Sequence, residues 1–152
     1  VVRQAVLESL SEFTFPRYLN QFDLLDETAR RSTGLLVKQI DPNTIPLLRK
    51  EIRSKIRTQR LRALRMVRVI EAAESLEPLL AAALGDEDHV VRLEAVLALA
   101  ESRSPSAGAL LARSIRDHSP TVAEAALEGL TRWKQSAHAH SRLISSGGGP
   151  RS

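Results

Sequence analysis

An internal repeat constrains this chain more than any other feature, because a pattern that recurs every 31 to 34 residues must fold as copies of one small unit. Set over Thr121 to Trp133 (TVAEAALEGLTRW), the stretch Val90 to Ser102 (VVRLEAVLALAES) aligns Val91 with Val122, Ala95 with Ala126, Val96 with Leu127 and Leu99 with Leu130, an offset of 31. Upstream, Gln59 to Ile70 places Arg60 on Arg92, Ala63 on Ala95 and Leu64 on Val96 at an offset of 32. Glu27 to Ile40 fits more loosely, with Ala29 on Ala63 at 34. The apolar positions fall three and four apart, the period of an amphipathic helix.

Each of these helices follows a shorter apolar segment with its own start signal. Asn43 and Thr44 precede Pro46, Ser104 precedes Pro105 and Ser119 precedes Pro120, with proline in the first turn where its missing N–H costs nothing. Ser75 with Pro78 is a looser version of the same start. The linkers Gly85-Asp86-Glu87-Asp88 and Asp117-His118-Ser119 have the length of a helical hairpin turn. The expected fold is all-α: a solenoid of antiparallel helix hairpins, about four repeats, with pairs near residues 15–40, 44–73, 76–102 and 105–134. Residues 1–12 read as the second helix of a further, truncated repeat, and the start at Val1 suggests a piece of a longer protein. The array is expected over 1–135, and the Ser-, Gly- and His-rich residues 136–152 are expected to form a flexible tail.

Composition agrees with this reading. Only 3% of the 152 residues are aromatic while 43% are hydrophobic, so the core is built from Leu, Ala, Val and Ile. Length suits one cooperative unit plus a tail. With no cysteine, disulfides, thiolate metal sites and cysteine nucleophiles are excluded, and a reducing, cytoplasmic setting is expected, or the soluble part of a larger protein. No apolar run approaches the roughly 20 residues of a membrane-spanning helix, so no membrane insertion is expected.

The segment LGDEDHVVRLEAVLAL resembles a HEAT repeat, particularly the short bacterial kind also found in phycobilisome-lyase-like proteins. The resemblance extends over 58–133 and, more loosely, 26–57. It implies a structural role between repeats for Asp86 and Arg92, capping the turn and bonding to the neighbouring repeat. The last repeat has Asp117 but Ala123 in the arginine position, and the Gln59 repeat has Arg60 but Ser54 in the aspartate position. Both junctions are therefore expected to lack the bridge. Phe13 to Leu25 departs from the repeat and holds all three Phe and the single Tyr; it is expected to plug an irregular junction. Gly34, inside a helix, implies a close helix crossing or a kink.

Chemistry-bearing constellations are thin. There is no phosphate-binding glycine loop between strand and helix, and His89 and His118 sit in turns. His138 and His140 lack a third ligand, so no metal and no cofactor is expected. Asp86, Glu87 and Asp88 are explained by their position before a helix N-terminus. The chain reads as a binding scaffold and not an enzyme, and an accessory role like that of bilin-lyase HEAT proteins finds no residues to carry it.

Charge segregation is the remaining signal. Residues 43–70 hold nine cations (Arg49, Lys50, Arg53, Lys55, Arg57, Arg60, Arg62, Arg65, Arg68) against Glu51, whereas 71–101 hold eight anions against Arg92. A patch of Arg53, Arg57, Arg62, Arg65 and Arg68 on the second-helix side is the candidate surface for a protein partner, acidic or phosphorylated. The alternatives are non-specific binding of nucleic-acid backbone by the same hairpin, service as an accessory repeat domain of a larger protein, and head-to-tail self-association of basic on acidic hairpins.

Overall fold

The computed structural model describes residues 12–147. Among them there are eight α-helices and no strand: α1 (Phe15–Gln21), α2 (Glu27–Ile40), α3 (Thr44–Ile52), α4 (Arg57–Val69), α5 (Glu77–Ala83), α6 (His89–Leu99), α7 (Pro105–Ser114) and α8 (Pro120–Gly147). The truncated helix expected over 1–12 lies almost entirely outside the described residues. Successive helices pair as four hairpins, α1 with α2, α3 with α4, α5 with α6 and α7 with α8. Contacts divide the chain after Leu76 into two compact units, in place of the single unit that length alone suggests. Repeat architectures contact mainly the neighbouring repeat, so their cohesion is local.

In the first unit α2 packs on α1, α3 and α4, and α3 packs on α4. Phe15, Tyr18 and Phe22 are buried where α1 meets α2, with Phe22 opening a 3-10 turn over Phe22–Leu24. The Tyr18 and Phe22 rings meet edge to face at 5.7 Å, and the Arg30 guanidinium lies 4.7 Å above the Phe22 ring. The Tyr18 hydroxyl donates to the Arg30 carbonyl at 2.7 Å, and burial holds its phenol far above the ordinary range. These aromatics are core. Gly34 marks a close crossing: a Cβ there would overlap the Tyr18 hydroxyl and ring and the Ile70 side chain.

Helix α4 ends in a feature that no sequence signal announced. Glu71 takes the left-handed conformation usually given to glycine, with φ 56°. The Ala72 amide donates to the Val67 carbonyl and the Glu71 amide to that of Arg68, which satisfies the helix's last carbonyls. Arg31 and Lys38 of α2 then hold Glu71 by its carboxylate and its carbonyl, at 2.8 and 2.9 Å.

In the second unit α6 packs on α5, α7 and α8, and α8 also packs on α7. Val91, Ala95, Val96, Ala98, Leu99, Ala107, Leu111, Val122 and Ala126 form its core, the repeat's matching positions among them. Trp133 lies over Gly108, where a Cβ would collide with the indole. Helix α8 continues past Ser136, where the sequence leads one to expect a flexible tail, as far as Gly147. No proline or glycine interrupts residues 134–146, and Ala137 and Ala139 favour helix; the side chains from Lys134 to Leu143 are nevertheless exposed, so packing ends at Trp133.

Candidate partner-binding surface

The turns within the last three hairpins share one construction. A side-chain oxygen at the turn's first polar residue accepts the amide two residues on: Asp86 from Asp88 (2.9 Å), Asp117 from Ser119 (2.8 Å) and Ser54 from Ile56 (3.1 Å). In two of the three, an arginine from the following helix also binds the turn's carbonyls. Arg92 donates to Asp86 O and Glu87 O at 2.8 and 3.1 Å, and Arg60 donates to Ser54 O and Lys55 O at 3.2 Å each. Serine therefore replaces aspartate in the turn without loss of these bonds.

Arg92 has a second role. Its Nε and Nη2 donate to both oxygens of Asp117 at 2.9 and 3.2 Å, a bidentate pair with side chains only 8% and 11% exposed. The last junction is thus bridged, contrary to the expectation drawn from Ala123. The arginine reaches forward to the next turn's aspartate, so a repeat lacking its own arginine still receives the bridge from its predecessor. Burial of the Asp117 carboxyl opposes its ionisation, but the Arg92 and Ser119 hydrogen bonds, with the charges of Arg92 and His118, outweigh it and lower its pKa. Asp88 and Asp26 cap α6 and α2 by accepting from Val90 and Ala29 amides. Ser104 stands at the N-cap of α7, yet its hydroxyl donates to Glu77 instead.

The α3–α4 hairpin carries the cations. Of the anticipated set, Arg53, Arg57 and Arg65 are exposed, while Arg62 and Arg68 are half-buried. Arg62 reaches back to Glu51 at 3.7 Å, an ion pair too long for a hydrogen bond, and so occupies the hairpin's single acid. Arg57, Arg60, Arg65 and Arg68 already take part in polar or electrostatic interactions within the protein. By contrast Arg49, Lys50, Arg53 and Lys55 are exposed and have no ion-pair partner among the described residues. These four lie within seven residues, at the end of α3 and in the turn after it. Of the expected set, Arg53 lies among these four, and Arg57, Arg62, Arg65 and Arg68 lie on α4.

The acidic stretch 71–101 is largely consumed at home. Glu71, Glu74, Glu77, Asp86, Asp88, Glu94 and Glu101 all have interactions, and of the eight only the exposed Glu87 side chain has none among the described residues. No group of three or more His, Asp or Glu among the described residues is placed to hold a metal ion. His89, His118, His138 and His140 are exposed and dispersed. No described helix is long and apolar enough to cross a membrane.

Paired helices in succession, with the last two turns tied by a buried arginine–aspartate bridge, define a helical-repeat protein. The sequence profile of HEAT repeats matches residues 45–131, more than half of the chain, and the chain belongs to that family. HEAT repeats generally act as protein-interaction scaffolds and are typically non-enzymatic. A search of curated proteins returned no match.

Proposed function

We propose that this protein is an interaction module that seats an acidic or phosphorylated segment of a partner protein on the α3–α4 hairpin. Arg49, Lys50, Arg53 and Lys55 make the primary contact, and Arg57, Arg62, Arg65 and Arg68 continue the positive field beside them. The observation that carries the reading is the set of four exposed cations in seven residues, with the hairpin's single acid, Glu51, paired to Arg62. A C-terminal macrodipole accounts for one or two cations at the end of α3, but not for four without a compensating anion. Guanidinium forks give bidentate contacts to carboxylate or phosphate and hence orientation as well as attraction. Head-to-tail self-association has weaker support, because the acids of 71–101 are mostly engaged within the chain.

The test is fluorescence polarisation of the full chain with labelled Glu-rich and phosphoserine peptides. Reversing Arg49, Lys50, Arg53 and Lys55 to Glu is expected to weaken binding at least tenfold with the fold retained by circular dichroism. Unchanged binding overturns the assignment, and loss confined to an Arg62→Glu, Arg65→Glu, Arg68→Glu variant returns the site to α4. If a duplex oligonucleotide instead binds with a log–log salt slope near about −4, as for four phosphate contacts, the surface belongs to nucleic acid.

A further inference from the structure

We infer that the groove between α5 and α7 in the second unit is a separate binding site, fitted to an extended peptide segment carrying two carboxylates on alternate residues. The groove encloses about 380 Å³, within the roughly 300–1,000 Å³ of ligand clefts, with Ala82, Leu84 and Gly85 on one wall and Leu110, Arg113 and Arg116 on the other. It exists because the α5–α6 hairpin is short of side chain at two positions. In the repeat register Ala82 and Gly85 correspond to Arg113 and Arg116, 31 residues on, and to Lys50 and Arg53 of the first unit. Cations hold both positions in those hairpins, and small uncharged residues hold them in this one.

Backbone geometry does not require glycine at Gly85. Its φ is not in the left-handed region, and an added Cβ would meet only the Ala82 carbonyl at 3.5 Å, an ordinary contact. What its lack of a side chain leaves is open space beside two exposed arginines that have no ion-pair partner among the described residues. Asp117 also lines the groove, but its charge is offset by Arg92, and the Ser114 hydroxyl is turned to the Leu110 carbonyl. The groove therefore presents the two arginines beside a wall of small and apolar residues, Ala81, Ala82, Leu84 and Gly85.

Their spacing selects the ligand. Arg113 stands in the last turn of α7 and Arg116 in the tight turn that follows it, where the Arg116 amide donates to the Arg113 carbonyl at 3.2 Å, so the two side chains leave the chain about one turn apart, roughly 5–6 Å between Cβ atoms as in a helical turn. Alternate residues of an extended peptide point the same way about 6.6 Å apart, so two carboxylates meet two guanidiniums while the small residue between them faces away. A single phosphate concentrates its charge on one centre and engages both arginines less well. A cation at a helix C-terminus accounts for Arg113 alone, not for a groove of this size at its side.

The experiment is a titration of the ¹⁵N-labelled full chain with blocked Ala-Glu-Ala-Glu-Ala, followed by amide chemical shifts. Saturable shifts at Leu84, Gly85, Ser114 and Arg116, absent with Ala-Gln-Ala-Gln-Ala, are expected. Arg113→Gln with Arg116→Gln should weaken binding at least tenfold, and so should Gly85→Leu, which fills the groove without changing charge. The proposal is overturned if those amides do not move, if either variant binds like the parent, or if Ala-Ala-phosphoSer-Ala-Ala binds as tightly as the diglutamate peptide. Reversing the α3–α4 cations should leave these shifts in place, so this site and the one on α3–α4 fail independently.

Discussion

Replacing Arg92 with leucine removes the bridge between the last two turns while retaining the bulk of the buried stem. The loss is large because Arg92 and Asp117 are about nine-tenths buried and joined by two short bonds, and because Arg92 also binds the carbonyls of Asp86 and Glu87. Breaking a buried pair by removing one partner costs about 3–5 kcal/mol, most of it from the charge left behind. Against a total stability of roughly 5–15 kcal/mol, the variant stands near the edge of folding. Adding Asp117→Asn removes the stranded charge, so the double variant should recover about 1–3 kcal/mol relative to Arg92→Leu, a coupling a double-mutant cycle measures. Urea denaturation followed by the fluorescence of Trp133, the single tryptophan, reads the second unit directly.

The pH dependence is a second readout of the same pair. Asp117 has a folded pKa below its unfolded one, so its stabilisation is complete above the unfolded value of about 3.9 and is lost as pH falls through the lower folded value. In Arg92→Leu the arginine's bonds and charge, which lower this pKa, are gone while the burial that opposes ionisation stays, so the carboxyl's pKa rises relative to the parent's. At any acidic pH the variant's native state then holds more protons than the parent's, and the stability gap between them should narrow on acidification from pH 7. A gap under about 1 kcal/mol at pH 7, or one that widens on acidification, would refute the reasoning.

Two further outcomes follow from the first unit. Gly34→Ala gains about 1 kcal/mol of helix propensity but forces a methyl into Tyr18 and Ile70, so overpacking of about 1–3 kcal/mol should leave a net loss in the urea midpoint; a gain would disprove the close crossing. Tyr18, the single tyrosine, should show no tyrosinate absorbance near its ordinary pKa of about 10 while the protein is folded. Its raised folded pKa means that stability is full below the unfolded value and declines as pH rises above it, and Tyr18→Phe should remove that alkaline dependence at a cost of about 1 kcal/mol for the hydrogen bond to Arg30.

Helix existence was legible in the residues because each hairpin's signals are local: a 3.6-residue apolar period, proline just inside helix starts, polar turns between. Ser104 and Ser119 duly open α7 and α8. The end of α4 was not legible, since left-handed Glu71 has none of glycine's backbone freedom and is held by Arg31 and Lys38 from 33 to 40 residues away. The patch was legible as a charge imbalance but not as a surface. Which of the nine cations already interact within the protein, among them Arg57, Arg60, Arg62, Arg65 and Arg68, and which are exposed follows only from the placed neighbours, and for that reason the proposed primary contact falls on Arg49, Lys50, Arg53 and Lys55.

Sequence alone determined the all-helical hairpin, its period and the positions that face a core, because those follow from bonds and contacts within a few residues. Tertiary structure decided which copies of a position are covered. Val96 and Leu127 share one register position, yet Val96 is fully buried on a helix packed by three others, whereas Leu127 on α8 is 55% exposed. It likewise decided that Arg92 serves Asp117. Burial and charge pairing depend on which neighbours a fold brings within a few ångströms, and a periodic sequence repeats its residues without repeating those neighbours.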